Sequence, residues 1–508
     1  MAGFKKILTT TAAALALAAF AVPAFVVPAA PARAQVLDIA TDASPVGLDP
    51  HVATSFATFS VVSTVYEGLT AIEKDLRVSP ALSDRWTISA DGLTYDFHLR
   101  PGAAFHNGRA LTPQDVIANI DRIRDPKTAS PLSSRVALVK SMEAVGTDTV
   151  RIVLSAQSAP FISQLGTISI VAPEAVAELA RRPVGTGAFM FKEWVPDTYI
   201  ALDRNPAYWD KGLPALAGLK FHIVPDAATR QAGIQGGTYK LIPVADAATA
   251  AALKGAAGVK LLETQDLAYS LLGVNTTRAP FDKPEVREAL NMALDRAQIV
   301  QAVYFGRGVP GGPLSPALAN WALPVSDFAC YKTDAEGAKK KLAAAGVTMP
   351  LKMTLKVIGS LPQAVDASQV IQAQLNKAGF EITLNVQEQG KFIADWRASD
   401  FDGFVSLNGG NPDPDDYFGR TFQTGGATNV FKYSNAALDK LLVDGRTETD
   451  PAKRKPIYDA AQKILACQGP VMHIAYGTLF AAAREDVQGF APMPTRSLRT
   501  LRDAKIGK

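Results

Sequence analysis

The sequence predicts an α/β protein with more than one domain, and three observations support this. Removal of a predicted leader, residues 1–34, leaves 474 residues, more than a single core of about 250–300 residues can organise. Strand and helix patterns alternate along residues 221–253 and again along 335–386, the rhythm of an α/β lobe. Residues 66–123 instead carry strand signals followed by a capped helix, which is typical of an α+β unit.

The first 34 residues predict a cleaved secretory signal peptide. Lys5 and Lys6 precede an apolar run that contains three prolines and ends in the small-residue site Ala32-Arg33-Ala34. A membrane anchor is the alternative, because the run approaches the roughly 20 residues that span a bilayer. The mature chain is expected to begin at Gln35 and to carry no lipid, since the first cysteine is Cys330. We therefore expect a soluble periplasmic protein.

Charge and motif content exclude several function classes. Loss of residues 1–34 removes three basic residues and no acidic one, so the formal net charge falls from +4 to +1. No basic run remains that would bind nucleic acid or an anionic membrane. The chain has no G-x-S-x-G, H-E-x-x-H or P-loop motif. His98 and His106 could meet across two strands, but a solvated strand face explains them better than a metal site. No cofactor and no metal are predicted.

The two cysteines, Cys330 and Cys467, lie in an oxidising compartment if the leader is cleaved. They either form a disulfide or remain separate buried thiols, because sequence does not show whether their Cα atoms come within about 7 Å. Cys467 and His473 have the residue types of a nucleophile and its base, but no motif supports that role.

Local patterns are clearest between residues 89 and 123. Apolar residues alternate with polar ones along 93–99, as in a half-buried strand. Asn107-Gly108 is typical of a tight turn, so these strands are expected to form a β-meander. A helix should follow, because Thr112 can cap it, Pro113 suits its first position and Asp115 lies near its positive end.

Further elements are expected along the rest of the chain. Gly185-Thr186-Gly187 leads into a strand rather than a helix, which argues against a dinucleotide loop. The remaining patterns predict strands at 36–40, 240–244, 269–275, 353–358 and 381–386, one continuous helix at 284–300, further helices at 335–345, 367–377 and 453–466, and a return of the chain at 470–476.

Several motifs resemble those of extracellular solute-binding proteins of the peptide/nickel-binding class (family 5), the receptors that feed ABC importers. The matching segments are Glu67-Gly68-Leu69, Pro80 to Trp86, Asp91 to Arg100, Phe105 to Val116, Val184 to Phe189, Arg204 to Trp209 and Phe281 to Val300. The resemblance implies the two-lobed periplasmic-binding-protein fold (class II, cluster C type) with an extra α+β subdomain. It places lobe I at 35–275 and 475–508, with the subdomain at about 66–185, and lobe II at 276–474. Hinges are expected near 269–275 and 470–476.

The resemblance also implies a ligand site between the lobes. One part would be the loop after the first strand, and the other a turn-rich loop that precedes Asp413-Pro414. The candidate ligand-binding residues are Thr54, Ser55, Phe56, Tyr269, Gln389, Trp396, Leu407, Asn408, Gly409, Gly410, Asn411 and Asp413.

One departure from the family pattern concerns the solute. Counting back from Asp413-Pro414, Gly410 stands where relatives carry the carboxylate that clamps a peptide's α-amine, and Leu407 stands where a tryptophan is common. Unless Asp413, Asp415 or Asp416 replaces it, we expect a solute without a free α-amine at this spot.

The predicted function is therefore a monomeric periplasmic receptor, not an enzyme, that delivers a small peptide or peptide-like solute to ABC transporter permease subunits by hinge closure. The alternatives are a receptor for a metal chelate, an opine or a sugar conjugate on the same fold, and a periplasmic hydrolase.

Overall fold

The computed structural model describes residues 35–244 and 246–507. The predicted signal peptide lies outside the described residues. The strands are β1 Val36–Thr41, β2 Thr70–Ile72, β3 Val78–Pro80, β4 Ser83–Ile88, β5 Thr94–Leu99, β6 Val139–Val145, β7 Thr149–Leu154, β8 Phe189–Val195, β9 Tyr199–Arg204, β10 Gly218–Ile223, β11 Leu241–Val244, β12 Val259–Val274, β13 Gly308–Pro310, β14 Leu351–Ile358, β15 Phe380–Gln387, β16 Gly403–Asn408, β17 Val471–Arg484, β18 Val487–Gln488 and β19 Lys505–Ile506.

The helices are α1 Phe56–Val65, α2 Pro113–Arg124, α3 Phe161–Leu165, α4 Ala227–Gly236, α5 Ala247–Leu253, α6 Pro284–Met292, α7 Arg296–Tyr304, α8 Ala335–Ala344, α9 Pro362–Lys377, α10 Gln389–Ala398, α11 Pro414–Phe422, α12 Ala436–Thr447 and α13 Pro451–Gln468.

One large mixed sheet runs through the described chain. Its order is β15-β14-β16-β12-β17-β11-β1-β10-β9-β8, and β13 pairs with β17 beside this path. At one end β14 lies parallel to both β15 and β16, and at the other β1 lies parallel to β10 and β11. Parallel strands joined by helices confirm the predicted α/β class.

Two long antiparallel strands, β12 and β17, join the two ends of this sheet. Their pairing is continuous from Val259 to Gln265, shifts register, and resumes at Tyr269 opposite Tyr476. β16 pairs with β12 only after the shift, along Tyr269–Val274, whereas β11 pairs with β17 before it, along Phe480–Ala483. The register shift therefore separates the strands that belong to one end of the sheet from those that belong to the other.

The two ends bury separate hydrophobic cores. The larger core combines the Tyr269–Val274 part of β12 with side chains of α6 to α9 and α11 to α13. A second core packs β1, α1 and β8 to β10 against Ala481 and Ala483 of β17. β17 thus contributes its first residues to one core and its last residues to another, as expected of a strand that crosses between lobes.

A smaller four-stranded sheet, in the order β4-β5-β7-β6, packs with α2 over a third core. Tyr95, Phe97 and Leu99 are buried as the alternation predicts. The predicted helix is confirmed, and the backbone N–H of Thr112 donates to the Asp115 carboxylate at 2.8 Å. The meander is confirmed only for its first pair, in which β4 and β5 are antiparallel neighbours, and is wrong beyond it. The chain after Asn107-Gly108 makes only an isolated bridge, and the second neighbour of β5 is β7, which follows α2.

The continuous helix predicted at 284–300 is also wrong, because two helices occupy this stretch. α6 ends at Met292, and Asp295 starts α7 by accepting a hydrogen bond from the backbone N–H of Gln298 at 2.9 Å. The apolar spacing continues across the break since both helices pack on the same core, and the capping aspartate is what divides them.

Cys330 and Cys467 form a disulfide, with Cα atoms 5.7 Å apart. The bond joins the loop before α8 to the C-terminal end of α13, across a small apolar cluster with Phe328 and Tyr331. Of the two states that the sequence left open, the structure has the bonded one. It also removes the thiol that a Cys467 nucleophile would require.

Candidate functional site

The loop between β16 and α11 ends in a buried ion pair. Asp413 is the N-cap of α11, and its carboxylate accepts a hydrogen bond from the backbone N–H of Asp415 at 2.9 Å. Two guanidinium nitrogens of Arg454 donate to the two oxygens of Asp413, at 2.6 and 2.8 Å. Asp413 and Arg454 are both buried. Asp413 therefore anchors the helix, and its charge is already neutralised.

Asp415 is held by a second arginine. Arg446 Nε donates to one carboxylate oxygen at 2.9 Å, and the Tyr458 hydroxyl donates to the other at 3.3 Å. Burial raises the pKa of Asp415, and the Arg446 hydrogen bond opposes that shift. Asp415, like Asp413, therefore forms hydrogen bonds with side chains of the protein itself.

Asp416 differs from its two neighbours because no lysine or arginine nitrogen lies within 4.0 Å of it in the described part of the chain. Its Oδ1 accepts a hydrogen bond from Gln164 Nε2 at 2.7 Å. Burial, reinforced by the nearby charge of Asp413, raises the pKa of Asp416 to about 6. Gln164 lies in α3, far away in sequence, so this bond ties α11 to another part of the fold.

Gly410 lies against the backbone of β12. A Cβ atom built on Gly410 would stand 2.1 Å from the carbonyl oxygen of Leu267, whereas one on Gly409 would meet nothing within 4 Å. An aspartate at position 410 is therefore incompatible with this loop conformation. A Gly410→Asp variant is thus unsuitable as a gain-of-binding test, because the loop has no room for the side chain.

Asn408 ends β16 and contacts a buried aromatic cluster. Its Nδ2 donates to the hydroxyl of Tyr269 at 3.1 Å. The Tyr269 ring lies 5.3 Å from that of Tyr417 and 5.2 Å from that of His473, centroid to centroid. Tyr417 and His473 share a hydrogen bond of 2.9 Å. Burial lowers the pKa of His473 to about 3, and Arg296 adds to the shift, so the ring is neutral.

The other predicted segment, Thr54 to Phe56, begins α1. Ser55 is the N-cap and accepts a hydrogen bond from the backbone N–H of Thr58 at 3.2 Å. Thr54 is exposed, and so is 65% of Phe56. The guanidinium carbon of Arg496 lies 4.8 Å from the centre of the Phe56 ring, which is a cation–π contact.

A chain of contacts connects this segment to the loop after β16. Arg496 Nη2, above the Phe56 ring, lies 2.5 Å from Asp266 Oδ2. Asp266 precedes Leu267, whose carbonyl oxygen faces Gly410. Asp266 and Leu267 lie in the register shift of β12. The structure thus links Phe56, through Arg496, and Gly410, 354 positions away in the sequence, to adjacent residues of one short segment of β12.

The remaining candidates are more scattered. Gln389 is exposed at the start of α10, and Trp396 is half-buried against the large core. Leu407 and Asn411 are half-buried beside Asn408 and Gly410, while Gly409 is exposed. Residues 409–411 therefore directly follow Asn408 in one partly exposed stretch, and Gln389 and Trp396 lie on a separate helix.

Comparison of the sequence with protein-family models identifies the family of this chain. Residues 77–429 match the model of the bacterial extracellular solute-binding proteins, family 5 (middle region), which covers more than half of the chain. The chain belongs to this family.

Individual relatives agree with this family 5 assignment. Heme-binding protein A of Haemophilus influenzae is 31% identical over 492 residues, covering 89% of each chain. Probable di/tripeptide-binding protein 5 of Pseudomonas aeruginosa is 31% identical over 504 residues, covering 92% of this chain and 95% of the relative. The solved structure of HbpA2 from Haemophilus parasuis superposes with a TM-score of 0.84 at 26% identity, covering 93% of this chain and all of the other.

This family 5 protein therefore has the two-lobed fold and is a solute-binding receptor of an ABC importer, acting outside the cytoplasm. Among residues 35–244 and 246–507, no helix is long and apolar enough to cross a membrane.

His98 and His106 of this family 5 protein interact with different partners. His98 lies 2.8 Å from Asp84 and 3.1 Å from Asp148, whereas His106 Nε2 lies 3.0 Å from the carbonyl oxygen of Gly187. In the described ranges, no three acidic, histidine or cysteine side chains are grouped as a metal site requires. The dispersed pattern in the sequence thus corresponds to dispersed structural roles.

Sequence reasoning missed several residues around the loop. Arg454 lies in a helix predicted only from apolar spacing, and Arg446 lies in a helix that was not predicted from the sequence. Gln164 and Arg496 lie in segments with no clear motif. The contacts of these four residues join positions from 31 to 252 residues apart. A single sequence carries no local signal for such long-range pairs.

Proposed function

We propose that the solute binds between the two lobes, at the surface formed by residues 408–411 on one side and Thr54 to Phe56 on the other. One observation carries this proposal: the Phe56–Arg496–Asp266 contacts reach the β12 segment that packs on Gly410. Both surfaces are therefore linked to the segment where the chain is proposed to cross between lobes. In two-lobed binding proteins a ligand that touches both lobes favours the closed state.

The strand pairing of β12 and β17 supports hinge positions that differ by a few residues from those expected from the sequence. The pairing shift covers residues 266–268, and Gly477 lies opposite it in β17. The Tyr269–Val274 part of β12 pairs with β16, so it moves with lobe II rather than lobe I. The proposed lobe boundaries are thus near 266–268 and 477 instead of 275 and 475.

The solute is a small peptide or peptide-like molecule whose amino end is not a free ammonium group. Position 410 offers no carboxylate, and Arg454 and Arg446 already pair with Asp413 and Asp415. A free ammonium group would enter this surface without a charged partner, which is unfavourable. Blocked or cyclic peptides, opine-like or sugar conjugates and chelates share the absence of that group. Relatives named for heme and for di/tripeptides leave this choice open within the family.

The remaining parts of the proposal concern the mature protein. Cleavage after Ala34 gives an unlipidated, monomeric periplasmic chain that hands its solute unchanged to the permease subunits. Intact-mass measurement of periplasmic material should therefore give a chain that begins at Gln35 with no acyl addition. Retention of residues 1–34, or an added acyl mass, contradicts this part alone.

Calorimetry with matched probes tests the solute class. The probes are Ala-Ala, Ala-Phe and Ala-Ala-Ala, each with a free and with an N-acetylated amino end. We expect the wild type to bind acetylated forms at least about tenfold more tightly, because a charge-assisted bond to the amine is absent. Asp416→Asn should leave that ratio unchanged, as should the control Asp444→Asn, which alters a surface pair with Lys440.

The contrary result is that the wild type binds the free peptides more tightly than the acetylated ones, and that Asp416→Asn abolishes this preference while Asp444→Asn does not. Asp416 would then be the amine clamp, and the blocked-solute proposal would be wrong while the receptor role stood.

A further inference from the structure

We propose that Asn408 is a specificity-determining residue that binds an uncharged hydrogen-bonding group of the solute, and that Tyr269 is the positioning residue that holds it. The inference rests on the proposed function, because it assumes that the solute meets residues 408–411. It names the chemistry of the recognised end: an amide or hydroxyl group instead of an ammonium group.

The position of Asn408 supports this role. Asn408 is the last residue of β16, directly opposite Tyr269 in the antiparallel pair. Its side chain is half-buried, and the next residue, Gly409, has open space around the position of a Cβ atom. A rigid strand therefore holds the half-buried Asn408 amide at the start of the loop.

The hydrogen bonding of Asn408 engages its side-chain nitrogen and leaves its side-chain oxygen available to a solute. Its Nδ2 donates to the Tyr269 hydroxyl, and among the described residues its Oδ1 has no hydrogen-bond partner. Because an amide has one acceptor group and two donor hydrogens, fixing one end orients the other. An oriented carbonyl oxygen accepts from an amide N–H or a hydroxyl, but it provides no negative charge to offset a desolvated ammonium group.

The environment of Tyr269 explains why that orientation is fixed. Tyr269 is only 1% exposed, and its ring packs between those of Tyr417, His473 and Tyr476. The Tyr417–His473 hydrogen bond, 2.9 Å long, holds two of these rings together. The hydroxyl of Tyr269 therefore has little freedom to move. Its hydrogen bond with Asn408 Nδ2 holds the Asn408 amide in one orientation.

The same cluster supplies a matched control. Tyr476 is as deeply buried as Tyr269, but its hydroxyl donates to the carbonyl oxygen of Gly312 at 3.0 Å, and it is the Tyr269 hydroxyl that accepts the hydrogen bond from Asn408. Tyr269→Phe and Tyr476→Phe each remove one buried hydroxyl from the same aromatic cluster. Only the first removes the bond that orients Asn408.

The experiment measures, by calorimetry, the affinity ratio of N-acetylated to free peptides for the Ala-Ala, Ala-Phe and Ala-Ala-Ala pairs. Tyr269→Phe should lower the ratio about three- to tenfold, the value of one neutral hydrogen bond, while Tyr476→Phe leaves it unchanged. Asn408→Asp, which adds a carboxylate of nearly the same shape, should shift the ratio at least tenfold toward the free peptides. Thermal unfolding of each variant separates lost stability from lost selectivity.

Equal effects of the two tyrosine variants on the ratio overturn the positioning role. An unchanged ratio in Asn408→Asp overturns the specificity role, and leaves the proposed function standing if the wild type still binds the peptides. Failure of the wild type to bind any of the six peptides overturns the proposed function, and this inference with it.

Discussion

Asp416, half-buried beside Gln164, is expected to make the stability of the protein depend on pH. Its pKa is raised to about 6, mainly by burial, from an ordinary value of 3.8. The folded state therefore binds this proton more tightly than the unfolded state between pH 3.8 and 6. Stability falls as pH rises through that window, and the full penalty is present above it.

Asp416→Asn should consequently stabilise the protein at pH 7.5, by on the order of 1–3 kcal/mol. The amide removes the buried charge, and its oxygen still accepts the bond from Gln164. The gain should shrink toward zero at pH 4. Urea unfolding at the two pH values measures it. A variant that is less stable than wild type at pH 7.5 would show that the ionised carboxylate is stabilised by partners outside this account.

Residue roles were predictable from sequence only where they are local. Thr112 and Pro113 predict the start of a helix. The Asp115 carboxylate accepts a hydrogen bond from the backbone N–H of Thr112 and so caps that helix. Asp413 was predicted to bind the solute, and this stays a prediction; in the structure it caps α11 and pairs with Arg454, 41 positions away. Nothing within a few residues of Asp413 distinguishes the two roles, since both use the same carboxylate.

At the scale of elements, α11 is the helix on which the loop depends. Its N-terminus is held by the pair of Asp413 and Arg454, and Arg454 Nε also donates to the carbonyl oxygen of Gly445 in α12 at 2.7 Å. Because both charged groups are buried, loss of one partner leaves the other charge unpaired in a poorly solvated place. The helix start and the loop before it are thus coupled to α13.

Arg454→Met should lower the free energy of unfolding by about 3–5 kcal/mol. The adjacent Lys455→Met is the control, because it removes a half-exposed pair with Asp459 in the same helix and should change stability by less than about 1 kcal/mol. Urea unfolding of both variants tests the contrast. Similar losses in the two would mean that the buried pair contributes no more than a surface pair.

Elements were predictable to the extent that their hydrophobic period was unbroken. The strand around Tyr95 and the helix at 335–345 agree with the structure, because local pattern and tertiary burial coincide there. The helix at 284–300 was predicted as one element since its apolar face continues past Asp295. The small sheet was misassigned because strand order depends on a partner, β7, that lies beyond α2.

At the scale of the whole molecule, the crossing strands β12 and β17 support a hinged receptor. Each strand contributes to more than one hydrophobic core, and their pairing shifts register only near Asp266 and between Ser270 and Leu271. Separate cores move as rigid bodies, so bending is expected at the first shift, where the flanking strands change. Length and motif content predicted the two lobes, whereas the exact crossing point required the strand register.

Binding of a tight acetylated peptide should therefore compact the molecule without changing its secondary structure. Small-angle X-ray scattering should give a smaller radius of gyration at saturating peptide than without it, and circular dichroism should be unchanged. Compaction requires that the peptide favour the closed state by differential contacts with both lobes. An identical radius of gyration with and without saturating peptide would contradict hinge closure around it.

We expect this family 5 receptor to hold a small solute, without a free α-amine, between its lobes and to leave that solute unaltered. Native mass spectrometry of protein purified gently from the periplasm checks this expectation. We expect a 1:1 complex whose released solute has a blocked or absent amino group and the same mass before and after long incubation with the protein. A released solute that is an ordinary free peptide, or one whose mass changes during incubation, would contradict the account.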